Sequence, residues 1–371
     1  MTLPISVIVP TRNAAAWIAT CLTGIEHNRP AQVIVVDGDS DDGTREIAVA
    51  RADDVLDDHG AGVAAARQLG VQAATQSWVA LIDADVVIGP GALDALLAEA
   101  QERQLDALQA GLFSIGRGDY WSGQLARHHN RGQVREWFGV SATIVRRDVL
   151  LTHPFDTSLR SGEDIDLRLR LRAAGVPVGV SQRTRVVHRF DAGYAFCRDQ
   201  WLADGQGLGR MVRSHGLRAV PNALIPFPAA VLGMLEAFGD RLRPLPYFAG
   251  FAAGNWIGLL RGLRDRRVAI PTPARRMLTA AMSALIASLV VLAPAAVLAA
   301  AATGVLLTVA AYDGAGWTIA ISIAGLGALT AVELAGHATS GAALRLARPA
   351  VWLLGIGGLI CAAARLVGVT S

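Results

Sequence analysis

Three short apolar runs near the start of the chain each break off in an acid or a turn residue. They are Ser6-Val7-Ile8-Val9-Pro10-Thr11-Arg12-Asn13, Val33-Ile34-Val35-Val36-Asp37-Gly38-Asp39-Ser40-Asp41-Asp42-Gly43-Thr44 and Trp78-Val79-Ala80-Leu81-Ile82-Asp83-Ala84-Asp85. Runs this short and this apolar read as strands buried on both faces of a sheet. Acids and turn residues at their carboxyl ends place polar chemistry along one edge of that sheet. Such an edge suits a nucleotide diphosphate and a divalent metal.

Helical segments alternate with these strands. Trp17, Ile18, Cys21, Leu22 and Ile25 recur at helical spacing over 14–26, Asp42-Gly43-Thr44 opens a helix, and 61–75 is an Ala-rich helix carrying Arg67. Pro90 fits the first turn of a helix running to about 103. Further strands are expected at 53–56, 107–113, 139–145 and 186–188. Alternation of this kind predicts an α/β fold with a mostly parallel nucleotide-binding sheet flanked by helices. Residues 163–174 alternate Ile165, Leu167, Leu169 and Leu171 like a strand. Ser161-x-x-Asp164 as a capping box and Ala173-Ala174-Gly175 as a stop favour a helix instead. Residues 191–215 are also expected to be helical.

Composition divides the chain. Mean hydropathy is +0.38, high for a soluble protein, and after Asp265 only Asp313 and Glu333 are acidic. The reading is a catalytic domain over 1–215, interfacial helices and an Arg-rich linker over 216–276, and transmembrane helices over 277–371. The spans are about three, at 279–306, 316–336 and 349–367, each long enough for a bilayer of about 30 Å. Arg261 to Arg276 and Arg345/Arg348 should face the cytoplasm, putting the catalytic domain on the cytoplasmic side of the cell membrane. The N-terminal apolar stretch is short and lacks a basic flank, so it reads as a strand rather than a signal peptide.

Several chemistries are excluded. The 34 basic residues are all Arg, which removes lysine Schiff bases and P-loop lysines. A net charge of +3 without aromatic–basic stacking argues against nucleic acid as a partner. Cys21, Cys197 and Cys361 have neither zinc spacing nor a disulfide framework, as expected for a reducing cytosol.

The candidate residues each carry two readings. Asp83 and Asp85 can be metal and diphosphate ligands or a solvated loop. Asp37 can accept from a base or ribose, or make turn chemistry with Gly38-Asp39-Ser40. Glu163-Asp164 can be a general base with an acceptor-binding neighbour, or Asp164 can complete a helix cap. His188 can be a ligand or structural, and Arg67 a nucleotide contact or a surface charge.

In order and spacing these motifs, with Ala64-Ala65-Ala66-Arg67-Gln68-Leu69-Gly70 and Gly162-Glu163-Asp164-Ile165-Asp166-Leu167, resemble the family-2 inverting glycosyltransferases of the A-type nucleotide-sugar fold. The resemblance covers roughly 4–190. It implies nucleotide-sugar binding by Pro10, Thr11, Asn13, Asp37, Arg67, Asp83 and Ala84. It implies a divalent metal, Mn2+ or Mg2+, on Asp85 and His188, and Asp164 as catalytic base. Acceptor contacts would come from Glu163 and from Gln200 and Trp201. The usual double acid after the second strand is Asp37-Gly38 here, and the Gln-x-x-Arg-Trp motif of processive synthases is absent. Arg198-Asp199-Gln200-Trp201 and Gly205-x-Gly207-x-Gly209-Arg210 resemble instead membrane-bound enzymes that add one sugar to a lipid-linked acceptor in exopolysaccharide assembly. The expected activity is transfer from a nucleotide-diphosphate sugar, UDP-sugar favoured, to a hydroxyl of such an acceptor. The alternatives are a polyprenyl-phosphate sugar synthase, a nucleotidyltransferase, for which the glycine-rich loop is missing, and a non-catalytic membrane scaffold.

Overall fold

A computed structural model describes residues 2–131, 139–159, 161–237 and 243–265. The described elements all belong to one compact unit, Met1–Ala269. The expected spans at 279–306, 316–336 and 349–367 lie outside the described residues, as does most of the Arg-rich linker. No helix among the described residues is long and apolar enough to cross a membrane.

The centre of the fold is an eight-stranded sheet in the order β3-β2-β1-β4-β7-β6-β8-β5. Strands β1 (Leu3–Thr11), β2 (Pro30–Asp37) and β3 (Asp54–Asp57) pair in parallel, and β1 pairs in parallel with β4 (Trp78–Ile82). The sheet is mixed beyond β4. β7 (Ala142–Arg146) runs antiparallel to β4 and to β6 (Ala107–Ile115), while β6 pairs in parallel with β8 (Val178–Arg189). β8 is far longer than the three-residue strand expected from Val186-Val187-His188, because its exposed Gln182, Arg183 and Arg185 hide the period. It also pairs with β5 (Val86–Val87), a two-residue strand too short to leave a sequence signal.

Consecutive Val and Ile in β1 and β2 follow from helices on both faces of the sheet. On one face pack α1 (Ala15–His27), α2 (Thr44–Val49) and α4 (Ala92–Glu102), through side chains such as Ile18, Leu22, Ala48, Leu93 and Leu96. On the other lie α3 (Val63–Ala73), α6 (Arg147–Thr152) and α7 (Glu163–Ala173), with Val71, Leu150, Leu167 and Leu171. Helix α3 lies so near β1 that a Cβ at Gly70 would meet Ile8 Cγ2 at 2.4 Å.

Parallel pairing aligns the strand ends. Thr11 stands opposite Asp37 and Asp37 opposite Asp57, while Ile8 stands opposite Leu81, two residues before Asp83. The acids that terminate the apolar runs therefore share one edge.

A third core joins α5 (Tyr120–Arg131) to α8 (Gly193–His215), α10 (Pro226–Ala237) and α11 (Leu245–Arg264). Phe190, Trp201, Tyr247, Phe248 and Phe251 fill it. Between α8 and α10 run a single 3-10 turn, Gly216–Ala219, and α9 (Val220–Leu224). Pro226 and Pro228 lie in the first turn of α10, and Pro244 and Pro246 at the start of α11. Helix α11 is one continuous element, and its glycine side packs along α8. A Cβ at Gly209 would meet the Leu259 carbonyl at 2.3 Å, and one at Gly262 the Gln206 carbonyl at 2.2 Å.

Candidate active site

At the common strand edge opens a cleft of about 470 Å3. The end of β1 contributes Pro10, Thr11 and Asn13, with Trp17 from α1. The loops after β2 and β3 supply Gly38, Asp58, Gly60 and Gly62, and α3 supplies Arg67. Asp83, Ala84 and Asp85 enter after β4, and Arg189, Asp191 and Phe196 close the side nearest β8 and α8.

Hydrogen bonds stitch the first two loops together. Asn13 N donates to Ser40 Oγ at 2.9 Å, and Asp41 N to Asn13 Oδ1 at 3.0 Å. Ala14 at the start of α1 has no capping side chain of its own. Thr44 Oγ1 accepts from Ala14 N at 2.7 Å and Asp42 accepts from Ala15 N at 3.0 Å, so the acidic turn after β2 caps α1 across the sheet edge. Asp37 is 1% exposed and does not line the cleft. Its carboxylate accepts from Ser40 Oγ at 2.6 Å and Ser40 N at 3.2 Å, which is the turn chemistry its sequence offered. Asp58, unremarked in the sequence because Asp57-Asp58-His59-Gly60 reads as a plain turn, accepts from Gly60 N and Gly62 N, each at 2.9 Å.

Arg67 is the structural centre of the site. It is 3% exposed and hydrogen-bonds Asp83 Oδ1 at 2.6 Å with one nitrogen and Glu163 Oε1 with another. Burial opposes its charge, but Asp83 and Glu163 outweigh that and hold the guanidinium protonated. Two acids, one after β4 and one on α7, are thereby drawn to one cation. Glu163, expected at the acceptor, spends its carboxylate on Arg67.

Asp164 follows Glu163 in the first turn of α7 and is half-buried. The capping box expected for it is absent. Gly162, with φ +78°, is the residue preceding the helix, Ser161 lies outside it, and no side chain caps the end. The left-handed glycine makes the turn that the box was expected to make. Asp164 Oδ1 instead accepts from Ile165 N at 2.8 Å. Burial, then the charge of Glu163, pushes its pKa up to about 6, against the pull of Ile165 N–H, Arg67 and Arg168. Asp204 on α8 is exposed and stands near the Asp164–Glu163 pair, whose charges favour its protonated form. Nothing local to Asp204 in the sequence singles it out.

Asp85, on the cleft wall, meets His188, which does not itself line the cleft. His188 Nε2 lies 3.3 Å from Asp85 Oδ2, while Asp85 Oδ1 and His188 Nδ1 are buried without a partner. Burial works against protonation of His188, but the hydrogen bond and charge of Asp85, with Asp83, raise its pKa. Adjacent ligands on an octahedral ion with bonds of about 2.1 Å stand about 3.0 Å apart, so this pair fits a divalent metal. No group of three or more His, Cys, Asp or Glu suited to a metal occurs among the described residues.

Gln200 is half-buried on α8 and does not line the cleft. Trp201 is 1% exposed; its ring packs edge-on to Tyr247, with centroids 5.2 Å apart, inside the third core. Trp17, Arg189 and Asp191 line the cleft although the sequence marked none of them. Trp17 read as an apolar helix position, and Arg189 was overshadowed by His188.

Residues 6–156 match the family described as Glycosyl transferase family 2. The Pre-mycofactocin glycosyltransferase of Mycobacterium tuberculosis is 31% identical over 205 residues, covering 50% of this chain and 42% of that protein. The alignment thus spans less than half of that relative's length. Succinoglycan biosynthesis protein ExoA of Rhizobium meliloti is 25% identical over 281 residues, 69% of this chain and 83% of that protein. Among solved structures, mannosyltransferase PcManGT from Pyrobaculum calidifontis, in complex with GDP-Man and Mn2+, aligns with a TM-score of 0.51 at 19% identity. It covers 72% of this chain and 88% of that one. This likeness establishes the α/β A-type nucleotide-binding fold.

Proposed function

We propose that this chain, with its family-2 glycosyltransferase domain, transfers a sugar with inversion from a nucleotide-diphosphate sugar to a hydroxyl of a lipid-linked acceptor at a membrane. The carrying observation is the Arg67 bridge. It links Glu163 on α7, next to Asp164, to Asp83 after β4, which supports Asp164, with its pKa pushed up to about 6, as the base. At pH 7 such a carboxylate is about nine-tenths ionised, matched to general-base work.

In this reading Pro10, Thr11, Asn13 and Ala84 bound the nucleotide, and the Thr11 hydroxyl is buried without a partner and free to bond it. Asp37 acts from beneath by fixing the loop. Asp164 removes the proton as the acceptor oxygen bonds to the anomeric carbon. The bond from that carbon to the diphosphate breaks on the opposite face, and the electron pair leaves with the nucleoside diphosphate. Asp85 and His188 would hold Mn2+ or Mg2+, which supplies Lewis-acid stabilisation of the departing diphosphate. A UDP-sugar remains the favoured donor. The lipid-linked acceptor draws support from the likeness to ExoA, and membrane anchoring from the apolar stretches after residue 277.

Asp164→Asn tests the reading. It retains the oxygen that accepts from Ile165 N and removes the basic carboxylate. Transfer should fall roughly 10²–10⁴-fold with nucleotide affinity nearly unchanged. Near-wild-type transfer by folded Asp164→Asn would remove both the base and the hydroxyl acceptor, and would favour a phosphate acceptor, which needs no base.

A further inference from the structure

Arg189 is a fixed cation in the cleft wall. It ends β8, next to His188, and lines the cleft beside Ala84 and Asp85. Its Nε donates to the Asp85 carbonyl at 3.2 Å. Its Nη2 donates to the Trp17 carbonyl at 3.0 Å and the Ala84 carbonyl at 3.5 Å. These carbonyls hold the guanidinium in place, so little side-chain entropy remains to be lost on binding a ligand. They supply partial charge only. The acids nearby are engaged elsewhere: Asp83 with Arg67 at 2.6 Å, Asp85 with His188 at 3.3 Å and Asp191 with Arg117 at 3.0 Å.

A second cation, Arg117, shares the Trp17 ring with it and is itself paired with Asp191 at 3.0 Å. The guanidinium carbons of Arg117 and Arg189 lie 4.4 and 4.8 Å from the centroid of the Trp17 ring. The ring offsets part of their repulsion. An anion entering the cleft would offset more, and Nη1, which donates to none of these carbonyls, is left to donate to phosphate oxygens.

We propose that Arg189, positioned by Trp17 and backed by Arg117, is a phosphate-binding residue of this cleft, taking non-bridging oxygens of a phosphate group beside the Asp85–His188 pair. This rests on the nucleotide-sugar reading for its nearest source of phosphate, the donor's diphosphate. A phosphate carried by a lipid-linked acceptor presents the same chemistry. In either case Arg189 contributes a positive charge that needs no metal.

The test uses the full chain in detergent with metal chelated, so that a metal ion cannot mask the effect. Inorganic pyrophosphate, UDP, GDP, uridine and guanosine are titrated calorimetrically into wild type and Arg189→Gln. If the donor diphosphate is the ligand, affinity for pyrophosphate and the nucleoside diphosphate should fall at least about 10-fold, with nucleoside affinity unchanged. If the acceptor phosphate is the ligand, nucleoside-diphosphate affinity should hold, and the KM for a polyprenyl-diphosphate-linked sugar in vesicles should rise by a similar factor. Equal affinities and equal KM in a folded variant overturn the proposal. Should Arg189→Gln not fold, phenylglyoxal labelling of wild type decides. Pyrophosphate should slow modification of Arg189 but not of the exposed Arg198; equal slowing or none overturns the proposal. Wild-type protein that binds pyrophosphate through Arg189, but neither UDP nor GDP with Mn2+ supplied, would retire the nucleotide-sugar reading and leave the phosphate site standing.

Discussion

Gly207 of α8 lies directly against Gly162, the left-handed residue that launches α7. A Cβ at Gly207 would stand 3.0 Å from Gly162 N and 3.1 Å from both Gly162 Cα and the Ser161 carbonyl carbon. All three are backbone atoms, so the contact cannot relax by turning a side chain. The glycines on either side, Gly205 and Gly209, pack instead on α11. The Gly205-x-Gly207-x-Gly209 repeat thus fixes the start of the Glu163-Asp164 helix against a two-helix support.

Gly207→Ala should therefore displace α7 at its first turn. Overpacking of this kind costs about 1–3 kcal/mol. Turnover should fall together with stability, while affinity for nucleoside diphosphate changes little, because the loops after β1 and β2 are untouched. Calorimetric binding beside a kinetic assay separates the two. Gly205→Ala would press on the Asn255 carbonyl at 2.1 Å and should cost more stability. Wild-type turnover in Gly207→Ala would show that α7 does not depend on this contact.

Arg67→Gln leaves Glu163 buried and Asp83 partly buried, with neither keeping its charged partner. Breaking a buried ion pair from one side costs about 3–5 kcal/mol. Denaturant unfolding should show a loss in that range. Arg67→Lys should recover only part of it, since an ammonium cannot span two acids as a planar guanidinium does. A loss below about 1 kcal/mol for Arg67→Gln would mean that the bridge contributes little to stability.

Asp85→Ala removes one of the two residues assigned to the metal. Mn2+-dependent affinity for UDP or GDP should drop to the metal-free level, while metal-free affinity stays as in wild type. Titration with and without Mn2+ reads both. Metal-dependent affinity unchanged by the substitution would remove Asp85 from the metal site.

Asp164 sets a pH dependence of opposite sign for activity and for stability. Its folded pKa of about 6 lies above the usual carboxylate value, so a base at Asp164, as proposed, would be lost to protonation below pH 6 and turnover should fall there. The same shift means that the native state holds this proton more tightly than the unfolded chain. The stability it contributes is fully present below about pH 4 and is lost as pH rises through 6. Asp164→Asn should reduce that decline, measured by denaturant unfolding between pH 4 and 8. An acid limb of activity that stays at pH 6 in Asp164→Asn would assign it to another group.

Apart from the two-residue β5, the order of strands and helices over 3–103 could be read directly, because consecutive buried Val and Ile and the spacing of Ile18, Cys21, Leu22 and Ile25 are local consequences of two-sided burial. Parallel strands of similar length then force their terminal residues to one edge, so Thr11, Asp37 and Asp83 were legible as neighbours. Helix α7 was readable by its stop signal, but its start was not. A serine-to-aspartate spacing looks like a cap until a left-handed glycine shows that the turn is made by backbone.

The pairing of charges was decided by tertiary structure alone. Arg67 and Glu163 are 96 residues apart, and they meet because α3 and α7 pack on the same face of the sheet. Trp201 looked like an acceptor contact within its four-residue neighbourhood; α11, arriving from residues 245–264, buries it. Arg189 became a fixed cation only because the carbonyls of Trp17, Ala84 and Asp85 converge on it. Periodicity and turn chemistry are properties of adjacent residues, so the sequence expresses them directly. The burial of a charge, and the partner that offsets it, depend on which distant segments fold against it.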